Sequence, residues 1–390
     1  MRILVASHSY IVDLNCEKLR ALAQLKPGIE VTVIVPKTWK PGGVQNKVIT
    51  TQYRDEGNFR IVPISNFSQN HQGLLTFGTD LISLFREFRP QIIQVEQGSR
   101  GLAYAQMIFL NQLLGLKAKN IFFTWWNLPY ELKFPINLLE KYNLNHSHGI
   151  ISGNQDGAEV LKQRGYQGKI KVLPQLGVDE RLFTPKAQPE LARKLGITSE
   201  DFVVGFVGRF VPEKGLLTLL QALLTITDKP WKLLLLGLGE LQAELIKITT
   251  ENHLRERVIF VESVPHDQVA NYINLMNTLV LPSETTYKFK TLTAVGWKEQ
   301  FGHVIIEAMA CKVPVIGSDS GEIPHVIGDA GLVFPEGDIP ALANCLVQLI
   351  DKPDFAKNIG EKGYQKAMNK YTNKALAQQQ FEFYQELVNN

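Results

Sequence analysis

The sequence contains only three cysteines, Cys16, Cys311 and Cys345, and they lie far apart. Their odd number and wide spacing exclude a disulfide framework and a Cys-x-x-Cys metal site, and they favour a reducing compartment. The chain also lacks an apolar run of the roughly 20 residues that a membrane-spanning helix needs. Its first apolar run is too short for a signal peptide. We therefore expect a cytoplasmic protein.

The sequence has no dense run of lysine and arginine, and no recognised nucleic-acid-binding motif accompanies its basic residues, so we expect no nucleic-acid partner. The net charge of +3 nevertheless conceals an asymmetry, because residues 1–185 carry 21 basic and 14 acidic residues whereas residues 186–390 carry 20 and 24. A basic N-terminal half could contact the anionic inner face of a membrane or an anionic acceptor. Dispersed, solvated charge is the simpler interpretation.

The length of 390 residues, with 45% hydrophobic and 20% charged residues, indicates a globular chain of two domains. Short apolar, β-branched runs alternate with helical patterns, about six runs in each half, which predicts an α/β protein. We expect two doubly wound, Rossmann-like domains facing each other across a cleft. The prolines and glycine at Pro174, Gly177, Pro185 and Pro189 place the boundary near residue 180. The predicted domains are 1–180 and 181–370, with the helix at 371–390 packing back onto the first.

The segment from Glu299 to Glu307 places two carboxylates eight positions apart, with an apolar helix predicted to begin near Phe301 and Gly302. Eight residues are little more than two helical turns, so both carboxylates would lie on roughly the same face. The N–H groups at a helix start favour an anion. The segment therefore suits a sugar joined to a diphosphate. An acid–base pair, as in glycoside hydrolysis, is the alternative interpretation.

A second candidate segment runs from Gly208 to Gly215, where a buried strand ends and a helix begins. Arg209 and Lys214 flank the turn between them. An arginine fork and a lysine point charge at a strand end are well suited to a diphosphate. The alternative is that both are surface cations beside Glu213.

These segments, together with Gly321-Glu-Ile-Pro324, closely resemble the retaining glycosyltransferases of family 4, which have the two-domain architecture called GT-B. The resemblance covers residues 177–335 in order, whereas the N-terminal half matches mainly in its strand–helix rhythm. It implies that Arg209 and Lys214 hold the donor's diphosphate and stabilise it as the leaving group. Glu299 would bind hydroxyls of the donor sugar, and Glu307 would bind those of the ribose.

The resemblance also implies which residues line the donor. These are Gly208, Phe301, Gly302, His303 and Val304 beside the sugar and phosphates, and the Glu262–Pro265 segment with Val264 beside the nucleobase. Because fixed cations and a helix start can stabilise the leaving group, no metal or other cofactor is expected. The sequence contains no Asp-x-Asp, and the pair His146 and His148 is interpreted as a strand edge rather than a metal site.

The N-terminal half departs from the family pattern. Many members have a Gly-Gly-x-Gly turn after the first strand, but here the Ser7–Asn15 stretch has no glycine, and its Ser, His, Tyr and Asn side chains, His8 included, are acceptor candidates. Where many members have a histidine, this chain has Trp126 and Asn127, which could form an acceptor subsite or belong to the core. Glu96 could orient or deprotonate an acceptor hydroxyl, or it could be structural.

The sequence therefore predicts a retaining hexosyltransferase that uses a nucleotide-sugar, UDP-glucose or a similar donor. Its acceptor would be a glycan, a lipid-linked molecule or a small molecule, in polysaccharide or glycolipid biosynthesis. The long loop 284–298 would be a lid over the donor or a surface insertion. A non-catalytic nucleotide-sugar-binding subunit and a nucleotide-sugar epimerase remain as alternatives. A dinucleotide dehydrogenase lacks support, because no Gly-x-Gly-x-x-Gly follows the first strand.

Overall fold

The computed structural model describes residues 1–40, 48–290 and 295–389. The chain divides into two compact units. The first contains residues 1–177 and 373–390, and the second contains residues 178–372. Among the residues described, none of the helices combines the length and the apolar composition needed to cross a membrane.

The first unit is built on an eight-stranded sheet in the order β10-β9-β8-β7-β1-β2-β6-β5, in which only β5 is antiparallel to its neighbour. A separate antiparallel pair is formed by β3 and β4. The strands of this unit are β1 Arg2–Ala6, β2 Glu30–Pro36, β3 Thr38–Trp39, β4 Ile49–Thr50, β5 Arg54–Asp55, β6 Phe59–Ile64, β7 Ile92–Val95, β8 Lys119–Thr124, β9 Gly149–Ser152 and β10 Lys169–Val172.

Helices cover the first sheet between these strands. They are α1 Glu17–Gln24, α2 Asp80–Phe88, α3 Leu102–Leu113, α4 Ile136–Asn145 and α5 Gln155–Gln163, with 3₁₀ turns at Ser9–Ile11, Asp13–Cys16 and Gln72–Leu74. The start of α5 follows from its sequence, because the Asn154 side chain accepts a hydrogen bond from the Gly157 amide. The central strands β7 and β9 are buried along their whole length and β8 is buried except at Lys119, as their apolar sequences predict.

The second unit contains a parallel six-stranded sheet in the order β13-β12-β11-β14-β17-β18. Its strands are β11 Phe202–Val207, β12 Trp231–Leu236, β13 Val258–Val261, β14 Thr278–Leu281, β17 Val315–Ser318 and β18 Leu332–Phe334. An antiparallel hairpin is inserted after β14 and consists of β15 Thr286–Lys290 and β16 Val295–Trp297. If these six strands are numbered 1 to 6 along the chain, their order across the sheet is 3-2-1-4-5-6, as in the Rossmann fold. In this sheet the order reverses between β11 and β14.

The helices of the second unit are α6 Pro189–Lys194, α7 Leu216–Leu224, α8 Gln242–Glu251, α9 His266–Ile273, α10 His303–Ala310, α11 Ile323–Ile327, α12 Ile339–Asp351 and α13 Pro353–Lys366, with a 3₁₀ turn at Pro212–Lys214 and a π-helical turn at Ala367–Tyr371. The start of α12 is fixed by the Asp338 side chain, which accepts from the Ala341 amide.

The last helix, α14 Asn373–Val388, belongs to the first unit. Tyr384 is fully buried, and its hydroxyl donates to Gln94 Oε1 at 2.7 Å. Gly149 at the start of β9 lets the helix approach closely, because a Cβ there would lie 2.7 Å from Leu387 and 2.9 Å from Phe383. The helix therefore completes the core of a sheet formed far upstream in the chain.

The structure adds detail to two segments that the sequence singled out. The segment 284–298 is not simply a loop, because its described part forms the β15–β16 hairpin, while residues 291–294 lie outside the described residues. The Ser7–Asn15 stretch contains the 3₁₀ turn Ser9–Ile11, which buries Tyr10, and the beginning of a second turn, Asp13–Cys16, which buries Cys16.

Candidate functional site

The order reversal in the second sheet brings several strand ends into close contact. Gly215 precedes α7 with φ +65°, and a Cβ there would lie 1.8 Å from the carbonyl oxygen of Pro282. Gly237 follows β12 with φ +147°, and a Cβ there would lie 1.9 Å from the carbonyl oxygen of Gly208. Glycine is required at both positions because no side chain fits. The backbones after β11, β12 and β14 thus form one crowded edge, where ligands of open α/β sheets bind.

Glu299 is held at this edge by backbone contacts from the segment after β17. A Cβ on Gly321 would lie 1.9 Å from the carbonyl oxygen of Glu299, which also accepts from the Glu322 amide at 3.3 Å. The Glu299 amide donates to Ser320 Oγ at 3.5 Å. The backbone of Glu299 is therefore fixed before its side chain makes any contact.

The carboxylate of Glu299 is buried, with the residue only 6% exposed. Its Oε2 accepts from Lys214 Nζ at 2.5 Å and from Ser283 Oγ at 2.8 Å. A buried carboxylate without such partners would be costly, so the lysine and the hydroxyl stabilise its charge. The two candidate residues that the sequence placed 85 positions apart therefore meet as an ion pair.

The two cations of the Gly208–Gly215 turn differ in environment. Lys214 lies over the ring of Trp297, with Nζ 4.9 Å from the ring centre, and its side chain is only 16% exposed. The Arg209 side chain is 69% exposed, and its guanidinium lies 3.8 Å from Glu213. Lys214 is thus fixed between a carboxylate and an indole, whereas Arg209 can reorient toward an incoming anion.

Helix α10 begins directly after Glu299. Its N-cap is Gly302, with φ +79°, and a Cβ there would lie 2.7 Å from the Leu281 side chain. The ring of Phe301 packs against His303 at 4.8 Å and against Tyr371 at 5.8 Å. The N-terminal end of this helix therefore lies at the same edge as the Lys214–Glu299 pair, with the dipole orientation that favours an anion.

Glu307 lies one turn into α10 and is half-buried, like Val304 and His303. Desolvation raises the pKa of Glu307 from 4.5 to about 7. A carboxylate in this condition gains from hydrogen-bond donors such as ligand hydroxyls. Val264, the predicted nucleobase neighbour, is half-buried after the edge strand β13, and Gly208 follows β11 in the centre of the sheet.

In the first unit, the acceptor candidates follow β1, β7 and β8, which are adjacent strands of the sheet. Glu96 is 3% exposed. Its Oε1 accepts from Tyr10 at 2.7 Å and from Gln94 at 3.0 Å, and its Oε2 accepts from Gln175 at 2.5 Å. Both carboxylate oxygens are occupied by protein donors, which favours the structural role that the sequence left open.

Lys18 joins this buried network, and no pattern in the sequence singles it out. It is 1% exposed, and its Nζ donates to the carbonyl oxygen of Pro174 at 3.5 Å. Burial lowers the pKa of Lys18 to about 8, against the opposing effect of Glu96. Burial also raises the pKa of Glu96, against the opposing effect of Lys18 and its hydrogen-bond donors.

The other acceptor candidates are less enclosed. His8 is half-buried beside Trp39, 5.0 Å away, and burial lowers its pKa to about 4. The Trp126 Nε1 donates to the carbonyl oxygen of Leu128 at 2.6 Å, while its ring stays half-exposed. Asn127 is 5% exposed, so it is part of the interior. Trp126 and His8 are therefore the acceptor candidates that are not fully buried.

Two further expectations concern side chains of the first unit. Tyr10 and Asn15, expected among the acceptor-facing side chains, instead bind internally, to Glu96 and to the Ser9 carbonyl oxygen. His148 Nδ1 accepts from the Asn120 amide at 3.0 Å, and His146 Nδ1 lies 2.8 Å from the Tyr142 carbonyl oxygen. Over the ranges described, no group of three histidine, cysteine or acidic side chains is placed to hold a metal ion.

Sequence reasoning also missed the partners that hold Glu299 and Lys214 in place. Ser320 is 21 residues from Glu299, and Trp297 is far from Lys214 along the chain, so these pairs become neighbours only through the tertiary fold. Ser283 could be found, because it follows β14 directly and strand ends on adjacent strands meet.

Solved structures identify the fold. The Anabaena protein HepE, solved in complex with UDP, matches with a TM-score of 0.71 and 18% identity over 99% of this chain and all of its own. Sucrose-phosphate synthase from Thermosynechococcus elongatus matches with a TM-score of 0.70 and 21% identity over 100% and 99%. These likenesses show the fold alone: each unit is Rossmann-like, as in the GT-B architecture, and they confirm the predicted fold class.

Sequence comparisons add the family. Residues 187–366 match the family model of glycosyl transferases group 1. N-acetyl-alpha-D-glucosaminyl L-malate synthase of Bacillus anthracis is 28% identical over 63% of this chain and 58% of its own length. The capsular polysaccharide biosynthesis glycosyltransferase CapM of Staphylococcus aureus is 31% identical over 46% and 45%. The chain thus spans about half the length of the curated relatives it matches. Together these matches support a GT-B glycosyltransferase of the family 4 kind, as predicted.

Proposed function

We propose that this protein is a retaining hexosyltransferase that moves a sugar from a UDP-sugar, UDP-glucose or a close relative, to an acceptor hydroxyl. The observation that carries the proposal is the meeting of Lys214, buried Glu299 and the start of α10 at the order reversal of the second sheet. HepE, which shares the fold, has been solved with UDP and with UDP-glucose, and this supports the choice of donor.

In the proposed reaction, the bond between the anomeric carbon and the diphosphate oxygen breaks, and the oxygen keeps the electron pair. Arg209, Lys214 and the α10 amides stabilise the charge that develops there. The acceptor oxygen bonds to the same face of the anomeric carbon, and its proton passes to the departing diphosphate. Glu299 holds donor hydroxyls, and Glu307 holds those of the ribose. Because Lys214, Arg209 and the helix start can stabilise the leaving group, we propose that transfer needs no metal.

The acceptor is proposed to be a glycan or a lipid-linked molecule, with a small molecule as the other option, in polysaccharide or glycolipid biosynthesis. A relative that acts in capsular polysaccharide biosynthesis supports this direction. We place the enzyme in the cytoplasm, with peripheral contact at an anionic inner membrane face. The half-buried side chains of His8 and Trp126 are the proposed acceptor-facing groups, because Glu96 and Asn127 are buried.

A thermal-shift panel of UDP, GDP and ADP and their glucose conjugates tests the donor, since a ligand that binds only the folded state raises Tm. We expect UDP and its sugar to give the largest shifts. Release of UDP with and without candidate acceptors then separates a transferase from a non-catalytic subunit, and analysis of the sugar product identifies an epimerase. Absence of any shift with every nucleotide would overturn the proposal.

Glu299→Gln provides the residue-level test, with Glu251→Gln on the exposed side of α8 as the matched control. We expect the Glu299 variant to lose about 100-fold or more in turnover, the usual effect of removing a polar group that acts in the transition state. Circular dichroism verifies the fold. Near-wild-type turnover in this variant would contradict the assigned role.

A further inference from the structure

The first unit exposes large apolar side chains on two adjacent helices. Phe109 and Leu113, one turn apart on α3, are 56% and 64% exposed. Leu138 on α4 is 55% exposed, and Phe134, just before that helix, is 77% exposed. Single exposed apolar residues are ordinary on a protein surface, but a group of them on neighbouring elements marks an interaction site.

A hydrogen bond shows that the exposed sides of the two helices meet. The Tyr142 hydroxyl donates to Gln112 Oε1 at 3.4 Å. Tyr142 lies one turn after Leu138 on α4, and Gln112 is next to Leu113 on α3. We call the surface formed by Phe109, Leu113, Phe134 and Leu138, with the lysines named below, the α3–α4 surface.

A cavity of about 620 Å³ opens where α3 and α4 end. Its lining includes Lys117, Lys119, His146 and His148, with amide side chains such as Asn145 between them, and no carboxylate belongs to it. Lys117 and Lys119 lie beyond the last turn of α3, so they are not placed to offset its helix dipole. This composition is suited to an anionic group of phosphate size or larger.

The charged side chains around the exposed apolar residues are mainly positive, like those that line the cavity. Lys133 and Lys141 are exposed next to Phe134 and Leu138. Glu140 on α4 is 2% exposed and bound by Arg164, so its charge is compensated within the protein. Glu131 is the exposed carboxylate of this segment. Four lysines against one exposed glutamate give the surface a net positive charge.

We propose that the α3–α4 surface docks on an anionic lipid bilayer, with lipid phosphates in the cavity and the exposed apolar side chains in the headgroup region. Apolar side chains flanked by lysines are the combination that interfacial binding uses, since each contributes a separate attraction. This proposal identifies the surface that makes the membrane contact of the proposed function, and it rests on that proposed function. It does not require that the sugar acceptor be a lipid.

Co-sedimentation with vesicles tests this inference on the full chain. The probes are vesicles of phosphatidylcholine alone and vesicles that also contain phosphatidylglycerol, at low and at high salt. We expect binding only to the anionic vesicles, with weaker binding at high salt. Lys117→Gln with Lys119→Gln should weaken the partition about 25-fold, since each lysine near the surface contributes about fivefold.

Two further double variants make the test specific. Phe134→Ser with Leu138→Ser should weaken vesicle binding about tenfold at either salt concentration, because the apolar contribution is not screened. Lys194→Gln with Lys357→Gln, an equal change of charge on exposed positions of the second unit, should bind as the wild type does.

The thermal shift with UDP, measured on the same preparations, should be unchanged in every variant, so loss of vesicle binding is distinguished from failure of the donor site. Wild-type protein that ignores anionic vesicles would overturn the inference. So would an equal loss in the control variant, or wild-type binding in both surface variants.

Discussion

Replacing Glu307 by glutamine should stabilise the protein at alkaline pH and leave it almost unchanged at acidic pH. The glutamate side chain is half-buried on α10, and desolvation raises its pKa from 4.5 to about 7. In the unfolded chain the carboxyl group is solvated and has its ordinary pKa. Between pH 4.5 and about pH 7, the folded protein therefore keeps a proton on Glu307 that the unfolded chain has released.

The sign and the size follow from this difference. Where the folded state binds more protons, stability falls as pH rises, so wild-type protein loses stability from about pH 4.5 up to about pH 7. A pKa difference of about 2.5 corresponds to about 3.5 kcal/mol at most, since each unit of pKa is about 1.4 kcal/mol. Glutamine does not ionise, so the variant does not lose stability in this way as pH rises.

Urea unfolding of both proteins at pH 5 and pH 8 measures the effect. The free energy of unfolding of Glu307→Gln, relative to wild type, should rise by up to about 3 kcal/mol between these conditions. The exposed Glu251→Gln variant serves as the control and should show no such rise. An equal difference between Glu307→Gln and wild type at both pH values would refute the burial of this carboxyl group.

The same group gives a prediction for the donor. If ribose hydroxyls donate to the Glu307 carboxylate, UDP binding releases a proton and strengthens as pH rises through about 7. Calorimetry in buffers of different ionisation enthalpy detects the released proton. Glu307→Gln should bind UDP more weakly and with no proton release, and release in that variant would assign the proton to another group.

Further predictions concern packing and the ion pair. Gly215→Ala should lower the free energy of unfolding by about 2 kcal/mol or more, because its Cβ would lie 1.8 Å from a backbone carbonyl oxygen. Gly196→Ala is the control: its φ of +66° is similar, but nothing lies within 4 Å of its Cβ, so urea unfolding should show a loss of about 1 kcal/mol. Lys214→Gln should lower the free energy of unfolding by about 3 kcal/mol, because buried Glu299 loses its cation, and equal stability would show that the pair is not buried. Tyr384→Phe should cost about 1–2 kcal/mol and leave the UDP shift unchanged.

The strands and the turns at both candidate motifs could be predicted from local patterns. Continuous apolar runs predicted about six strands in each half, and the sheet of the second unit has six. The start of α10 was predicted near Gly302, its N-cap. These features are local, because a buried parallel strand and a helix start depend on a few neighbouring residues.

Long-range contacts could not be predicted in the same way. The partners of Glu96 come from β7, the 3₁₀ turn after β1 and the segment after β10, and no spacing in the sequence brings Gln175 next to Tyr10. The β15–β16 hairpin was missed because its strands are short and exposed, so they lack a buried apolar pattern. Local rules thus predicted the location of the candidate site but not the contacts that hold its side chains.

The position of α14 has a consequence for biosynthesis. Tyr384 and Gln94 are 290 residues apart, yet they share a buried hydrogen bond in the first unit. As the ribosome synthesises the chain, the second unit is complete before this helix exists, while the earlier-made sheet still exposes the surface around Gly149 that α14 covers. The nascent first unit therefore keeps this apolar surface open to solvent until the helix emerges, and the second unit can fold before the first is finished.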